Sequence, residues 1–584
     1  MFQPQRIRLQ EPAETIMTDA PFVHSETARR KADASVRRVR QDQMRNRIML
    51  AVAAFAVAYL IIIVRLAMFG ITDAGPVGAF NDPNAGVATS RPDLVDRNGE
   101  ILATDIKMAS LYAEPRNILD PDEATELITS VLPDLDATAL RKKLTGEAGF
   151  VWVKREITPT QRKQIHDLGI PGVGFLSENR RFYPGGPAAA HIVGLVNVDN
   201  QGIAGLEKYV DDRWLSDLHL AGFARGEDLR PVKLSVDLRV QHVLRDELLG
   251  AIERYQAIAA TGIVLNAQTG EVLAMVSLPD FDPNDPVDAH KPDRLNRMSA
   301  GAFEVGSIFK SFTFAMALDS GAVSLEDKID ATRAIQIGRF TINDFHGKHR
   351  VLTVPEVFIY SSNVGSARMA LKVGGVRQKA YLDRLGLTRR VKTDLPEVAM
   401  PIVPKKWSEL TTMTVAFGHG IAVTPLQVAV ADAALVNGGR LIPPTFLARS
   451  PEVAASLGEQ VVSRETSDAM RYLLRLNVEK GSGKRAAVPG YRVGGKTGTA
   501  EKVENGRYSA TKRLNSFLAA FPMDDPKFVV LVVLDEPKAE KQGGGTTAAA
   551  NAAPTVAAIV RRAAALLGVE PREADEVGTL LVSN

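Results

Sequence analysis

The chain has no cysteine in its 584 residues. This excludes disulfides, thiol nucleophiles and cysteine-ligated metals, and it is compatible with an oxidising compartment. The nine histidines fall at no metal-ligand spacing. His346 and His349 flank Gly347-Lys348 in a polar stretch, and His419 sits between Gly418 and Gly420; solvated or structural roles are read for them, with no metal and no cofactor expected. An excess of one charge is also missing. The 71 Lys and Arg against 68 Asp and Glu leave a net +3, which gives no electrostatic signature of nucleic-acid binding. What remains is a globular composition, 45% hydrophobic and 24% charged, at a length that accommodates two or more domains.

Residues 1–47 are polar and without periodicity. From Arg29 to Arg47 the cations Arg29, Arg30, Lys31, Arg37, Arg38, Arg40, Arg45 and Arg47 face only Asp33 and Asp42. Ile48 to Val64 then gives seventeen residues without a charge, and Leu66 to Ile71 continues apolar beyond Arg65. With Arg65 snorkelling near the far end, residues 48–71 are long enough to span a bilayer. The basic run before them places 1–47 in the cytoplasm. A cleaved signal peptide fits poorly, because the n-region is too long and the apolar core too extended. Most of the chain is therefore expected on the far side of the membrane, after a Gly-, Ala-, Pro- and Asp-rich linker over 72–90.

Asn98-Gly99 between Leu94-Val95 and Ile101-Leu102 signals a hairpin. Residues 104–230 mix short strands with amphipathic helices and hold no catalytic constellation; Arg181 and Glu207 are read as a structural pair. From residue 231 to 568 the pattern changes. Arg239 to Tyr255 reads as a helix, and Thr261–Leu265 and Val272–Val276 as strands joined across Gln268-Thr-Gly270. A largely helical region follows to about residue 480, then strands over Leu514–Ala520 and Phe528–Leu534 and an alanine-rich helix over Ala549–Leu567. Strands at both ends of a domain with helices between them predict an α+β fold, one antiparallel sheet with helices packed on it. Residues 569–584 read as a tail.

The chemistry centres on Phe303 to Ser320, a stretch apolar from Ile308 to Leu318 that reads as a buried helix with Ser307 at its first turn. Ser307 and Lys310, three apart, share one helical face. Burial among Ile308, Phe309 and Phe312 lowers a lysine pKa, and a second cation lowers it further, so Lys310 is placed to take the serine proton. Ser-x-x-Lys alone is a weak pattern, and it recurs at Ser509–Lys512. Two more segments add to it. In Ser361-Ser362-Asn363, Ser361 is suited to relay a proton and Asn363 to donate to an amide, although Ser-x-Asn also recurs at Ser177–Asn179. In Gly494-Gly-Lys-Thr-Gly-Thr499, glycines allow close approach of a strand. There Lys496, Thr497 and Thr499 suit a carboxylate, and the Thr499 N–H can face that of Ser307 as an oxyanion hole. Gly490 to Thr497 also fits the phosphate-loop pattern. Such a loop must open a helix, whereas residues 498–513 are polar, carry a central glycine and lack an apolar stripe.

Ser307-x-x-Lys310, Ser361-x-Asn363 and Lys496-Thr497-Gly498, in that order, resemble the signature of penicillin-binding proteins and serine β-lactamases. Asp96-Arg-Asn-Gly99, Arg181 to Pro184 and Gly202 to Glu207 resemble the pedestal of class B members, and Tyr112-Ala-Glu-Pro115 with the Arg181–Glu207 block resembles their cell-division branch. Pro92 and Val305 depart from the usual glycine and proline. The resemblance implies a membrane anchor, an elongated pedestal (91–230) and a transpeptidase domain (231–568) working as a septal peptidoglycan D,D-transpeptidase. Ser307 would be the nucleophile, Lys310 the base and Ser361 the relay, with Asn363, Lys496, Thr497, Gly498 and Thr499 binding substrate. Implied partners are stem peptides, one as D-Ala-D-Ala donor and one as amine acceptor, β-lactams, a membrane glycosyltransferase of the septal machinery and other division proteins. The short N-terminal stretch leaves no room for a glycosyltransferase domain in the chain itself. The alternatives are an elongation-type transpeptidase, a D,D-carboxypeptidase or β-lactamase, a phosphate-loop hydrolase, and a non-catalytic scaffold or sensor.

Overall fold

A computed structural model describes residues 91–215, 229–504, 507–540 and 544–572, with scattered positions between 49 and 63. The basic tail, most of the expected anchor, the linker and the end of the chain lie outside the described residues. Among the described residues no helix is long and apolar enough to cross a membrane. The described positions of the apolar stretch are helical and expose apolar side chains, Phe55 to 69% and Tyr59 to 64%. The chain divides into two units, Met1–Ala85 and Gly86–Asn584.

The first part of the second unit is built on one long strand, β1 (Ile101–Ala113), paired antiparallel with β2 (Val151–Ile157) and β3 (Val173–Phe182). Helices α1 (Pro121–Val131), α2 (Ala137–Leu144) and α3 (Pro159–Asp167) bury Ile128, Leu140, Leu144 and Ile165 against Leu111, Ala113, Val153 and Ile157 of the sheet. Each helix begins where its sequence says it should. Asp120, Asp136 and Thr158 accept from first-turn N–H groups, and Thr158 forms a capping box with Gln161. The expected hairpin is present, with Leu94–Val95 folding back on β1. The same short strand pairs parallel with Val232–Lys233, tying the start of this region to the segment that leads into the next.

Helix α4 (Gly205–Val210) carries Glu207 into a buried ionic cluster. Arg181 Nε donates to Glu207 Oε1 at 2.6 Å, Arg91 Nε donates to Glu207 Oε2 at 2.9 Å, and Arg181 also reaches Asp105 at 3.1 Å. The side chains of Arg181 and Glu207 are both 0% exposed. The structural pairing read from the sequence is present, and Arg91 joins it.

After α5 (Leu238–Tyr255) come β4 (Ala259–Asn266) and β5 (Val272–Leu278). The helical middle contributes α6 (Phe309–Asp319), α7 (Val354–Ile359), α8 (Asn363–Val373), α9 (Pro425–Val436) and α10 (Arg464–Lys480). Then follow β6 (Gly494–Glu504), β7 (Arg507–Phe521), β8 (Phe528–Asp535) and α11 (Ala552–Ala563). The five strands make one sheet in the order β6-β7-β8-β4-β5, antiparallel throughout. This is the sheet expected from strands at both ends of the region. Successive strand residues point to opposite faces. Val530 and Val532 pack with Leu244, Leu248, Val556 and Ile559 of α5 and α11, while Val529, Leu531 and Val533 pack in the core that holds Leu426 and Ala429 of α9. Cover on both faces explains why β8 reads as an unbroken apolar run. Strands β6 and β5 are the edges of this sheet. Residues 498–504 and 507–513 lie on the paired strands β6 and β7, so no helix follows Lys496 and the phosphate-loop alternative falls.

Candidate active site

The stretch read as a helix over Phe303–Ser320 is helical from Gly306 onward, with Ser307 in its first turn as expected. Phe303 bridges to Val423 as extended chain, Gly306–Ile308 is a 3-10 turn, and the α-helix starts at Phe309. Gly306 lies at φ +57°, a conformation that interrupts a helix and that side chains other than glycine rarely adopt. A Cβ there would lie 2.6 Å from the Thr499 carbonyl oxygen, and one on Gly498 would lie 2.4 Å from that of Val305. Edge strand β6 and the serine turn therefore meet backbone to backbone, the close approach read from the glycines of 494–498.

Ser307 lies half-buried in that turn and faces a cavity of about 660 Å³. Ser361, Asn363, Thr497 and Thr499 line the same cavity. Lys310, one turn along α6, is wholly buried, as is Lys496 on β6. Both lysines converge on one oxygen: Lys310 Nζ and Lys496 Nζ each donate to Ser361 Oγ at 3.0 Å. Lys310 also donates to the Ser361 carbonyl. Ser361 is held at φ +55°, a sparsely populated region for a side-chain-bearing residue and a mark of imposed geometry. All eight residues singled out from the three motifs thus belong to one neighbourhood. The second Ser-x-x-Lys lies on β7 and the second Ser-x-Asn on β3, both outside it.

Several contacts support the cluster. Asp344 accepts from Ser362 Oγ at 2.7 Å and from Val364 N at 2.9 Å, fixing the start of α8, and the Asn363 amide donates to Asn343 O at 3.0 Å. Asn477 of α10 donates to Gly495 O at 2.7 Å, and the Ser482 and Thr497 hydroxyls lie 2.8 Å apart. The Thr499 hydroxyl accepts from Ala548 N at 3.2 Å. The cavity wall also holds residues to which sequence patterns gave no role, among them Asp344, His346, His419, Glu501 and Arg513. His419 packs against Phe417 and Tyr508, with ring centroids 5.2 and 5.3 Å apart. Burial pushes its pKa down. His346 and His419, read from the sequence as solvated or structural, line this cavity. Among the described residues no group of acidic and histidine side chains is arranged for a metal.

The electrostatics fit proton transfer. Burial brings Lys496 down to about 7. Burial lowers Lys310 well below the ordinary lysine range, the Lys496 charge lowers it further, and Asp344 opposes this. Two ammonium groups sharing one hydroxyl disfavour each other's protons, so the pair titrates as a unit. Acylation by a penicillin should therefore lose rate on an acid limb below the ordinary lysine range. Lys496→Met removes the neighbouring charge and should move that limb to higher pH; Lys496→Arg, permanently charged, should keep it low. Stopped-flow acylation across pH checks this, and a limb that stays in place in Lys496→Met would contradict it.

Fold and cluster together set a half-buried serine beside two buried lysines, the composition of a serine acyl-transfer centre. Residues 260–559 match the penicillin binding protein transpeptidase domain, and residues 87–214 match the penicillin-binding protein dimerisation domain. The chain belongs to the penicillin-binding protein family. It is 42% identical over 462 residues to the probable peptidoglycan D,D-transpeptidase FtsI of Caulobacter vibrioides, covering 78% of this chain and 77% of that protein. It is 32% identical over 472 residues to the probable peptidoglycan D,D-transpeptidase PenA of Neisseria gonorrhoeae, covering 77% and 80%. To the peptidoglycan D,D-transpeptidase FtsI of Escherichia coli K12 it is 30% identical over 484 residues, covering 78% and 80%.

Proposed function

We propose that the protein is a peptidoglycan D,D-transpeptidase that cross-links stem peptides at the division septum through an acyl-enzyme on Ser307. The observation that carries this reading is the Ser361 hydroxyl held between two buried lysines beside the Ser307 turn. Ser307 Oγ attacks the carbonyl between the two terminal D-alanines, and its proton passes to neutral Lys310. The oxyanion is met by the N–H groups of Ser307 and Thr499. As the C–N bond breaks, the leaving D-alanine amine takes a proton through Ser361. The amine of a second stem then attacks the ester, gives up its proton along the same route and releases Ser307. Lys496, Thr497, Gly498 and Thr499 hold the terminal carboxylate, and Asn363 donates to the stem's amide carbonyl. β-Lactams acylate the same oxygen.

The division branch draws support from the FtsI relatives in two organisms. The arrangement proposed with it has a cytoplasmic tail over 1–47, an inner-membrane anchor over 48–71, a linker over 72–90, a pedestal over 91–230, a periplasmic transpeptidase domain over 231–568 and a C-terminal tail over 569–584. Exposed apolar side chains at the helical positions near Phe55 support the anchor. A membrane glycosyltransferase and other division proteins are the proposed partners. The test is a donor pentapeptide incubated with and without an amine acceptor. Release of D-alanine accompanied by a cross-linked product is expected; release to water alone, unaffected by acceptor, would point to a carboxypeptidase instead.

A further inference from the structure

Thr497, Thr499 and Glu501 alternate along β6 and face the active-site cavity, as alternate strand residues do. Two strand residues, about 7 Å, carry the wall from Thr499 at the nucleophile to Glu501. Directly across from Glu501 on β7 stands Arg513, its register partner, lining the same cavity. Cross-strand partners have Cβ atoms about 5 Å apart, so an acidic and a basic side chain leave the sheet side by side at this end.

The neighbouring groups leave this pair available. Lys502, the adjacent cation, is taken by Asp535 at 2.8 Å and Glu536 at 2.7 Å. Arg513 donates to the Thr546 hydroxyl at 3.3 Å. The nearby Glu304 carboxylate accepts from Gly420 N at 3.0 Å and from the Tyr508 hydroxyl at 3.1 Å. Burial favours the neutral form of the His419 imidazole, so it does not repel a cation entering beside it.

We propose that Glu501 and Arg513 form a subsite that reads a zwitterion. It selects donor stem peptides in which the side chain before the D-alanines ends in an ammonium and a carboxylate on one carbon. This deepens the transpeptidase reading and rests on it. Glu501 meets the ammonium and Arg513 the carboxylate. A side chain ending in a lone ammonium finds Glu501 but also the Arg513 charge, with nothing to offset it; the pair therefore attracts one substrate and repels the other. The reach is right, since a long side chain on the residue before the scissile pair covers the distance from Thr499 to Glu501.

The test compares kcat/KM for two donor pentapeptides on the same protein, one with diaminopimelate and one with lysine at the third position. Taking the ratio cancels losses of folding or overall activity. Wild type should prefer diaminopimelate, and Arg513→Gln and Glu501→Gln should each cut the preference about two- to fivefold, the scale of a solvent-accessible charge pair. Amidating the side-chain carboxylate should lower kcat/KM in wild type and have no effect in Arg513→Gln. A ratio unchanged in both variants, or amidation costing as much in Arg513→Gln as in wild type, would overturn the subsite. Wild type that fails to react with a fluorescent penicillin would remove the transpeptidase reading and the subsite with it.

Discussion

Lys310→Met is expected to slow acylation by a penicillin about a hundredfold to ten-thousandfold, the range of a lost general base. Methionine keeps the length of the apolar stem and removes a wholly buried amine whose charged form burial already disfavours, so the fold should not suffer. The loss is chemical. Ser307 would keep its turn, its cavity and the N–H groups around it, but nothing at the 310 position would take its proton. Lys310→Arg should be no better, because a guanidinium does not give up its proton at accessible pH. Second-order rate constants for penicillin acylation decide the matter, with thermal melting as the control on folding. A Lys310→Met protein that acylates within tenfold of wild type would mean that another group is the base.

Glu207→Ala should destabilise the protein by about 3–5 kcal/mol, the scale for stripping one partner from a buried ion pair. Arg91 and Arg181 both donate to the Glu207 carboxylate, and all three residues are buried. With the carboxylate gone, two buried guanidiniums lose their shared counter-charge and keep only Asp105 and Asp211. Typical total stability is about 5–15 kcal/mol, so the change is large against the whole. Glu207→Gln, which keeps an acceptor but not the charge, should fall between. Urea unfolding midpoints measure both, and a loss below about 1 kcal/mol in Glu207→Ala would show that the cluster is dispensable.

The parts of the structure that were legible in the sequence are those fixed locally or by covalent order. Asn98-Gly99 needs only its two flanking strands to be recognised. The buried face of α6 is written in Ile308 to Leu318, and the two-ended sheet follows from where the apolar strands fall. The three motifs were legible as a set because their order along the chain is itself information. What escaped depends on register and on contacts between distant segments. Asp344 caps α8 from 18 residues before Ser362, and no local pattern announces that. His419 was read as solvated or structural, and its contact with Tyr508 beside the cavity joins segments that no local pattern connects. Glu501 and Arg513 sit twelve apart in sequence and become neighbours only through the β6–β7 pairing. The residues before Gly306 escaped for a related reason: Phe303 is extended and bridges to Val423, a partner far along the chain.

The central claim is that Ser307 becomes acylated with the help of the lysine pair around Ser361. Intact-mass spectrometry after incubation with penicillin, followed by peptide mapping, tests it directly. Wild type should gain one adduct, carried by the peptide that contains Ser307, and Ser307→Ala should gain none. An adduct on another serine in the Ser307→Ala protein, or a folded wild type that gains no mass at all, would contradict the account.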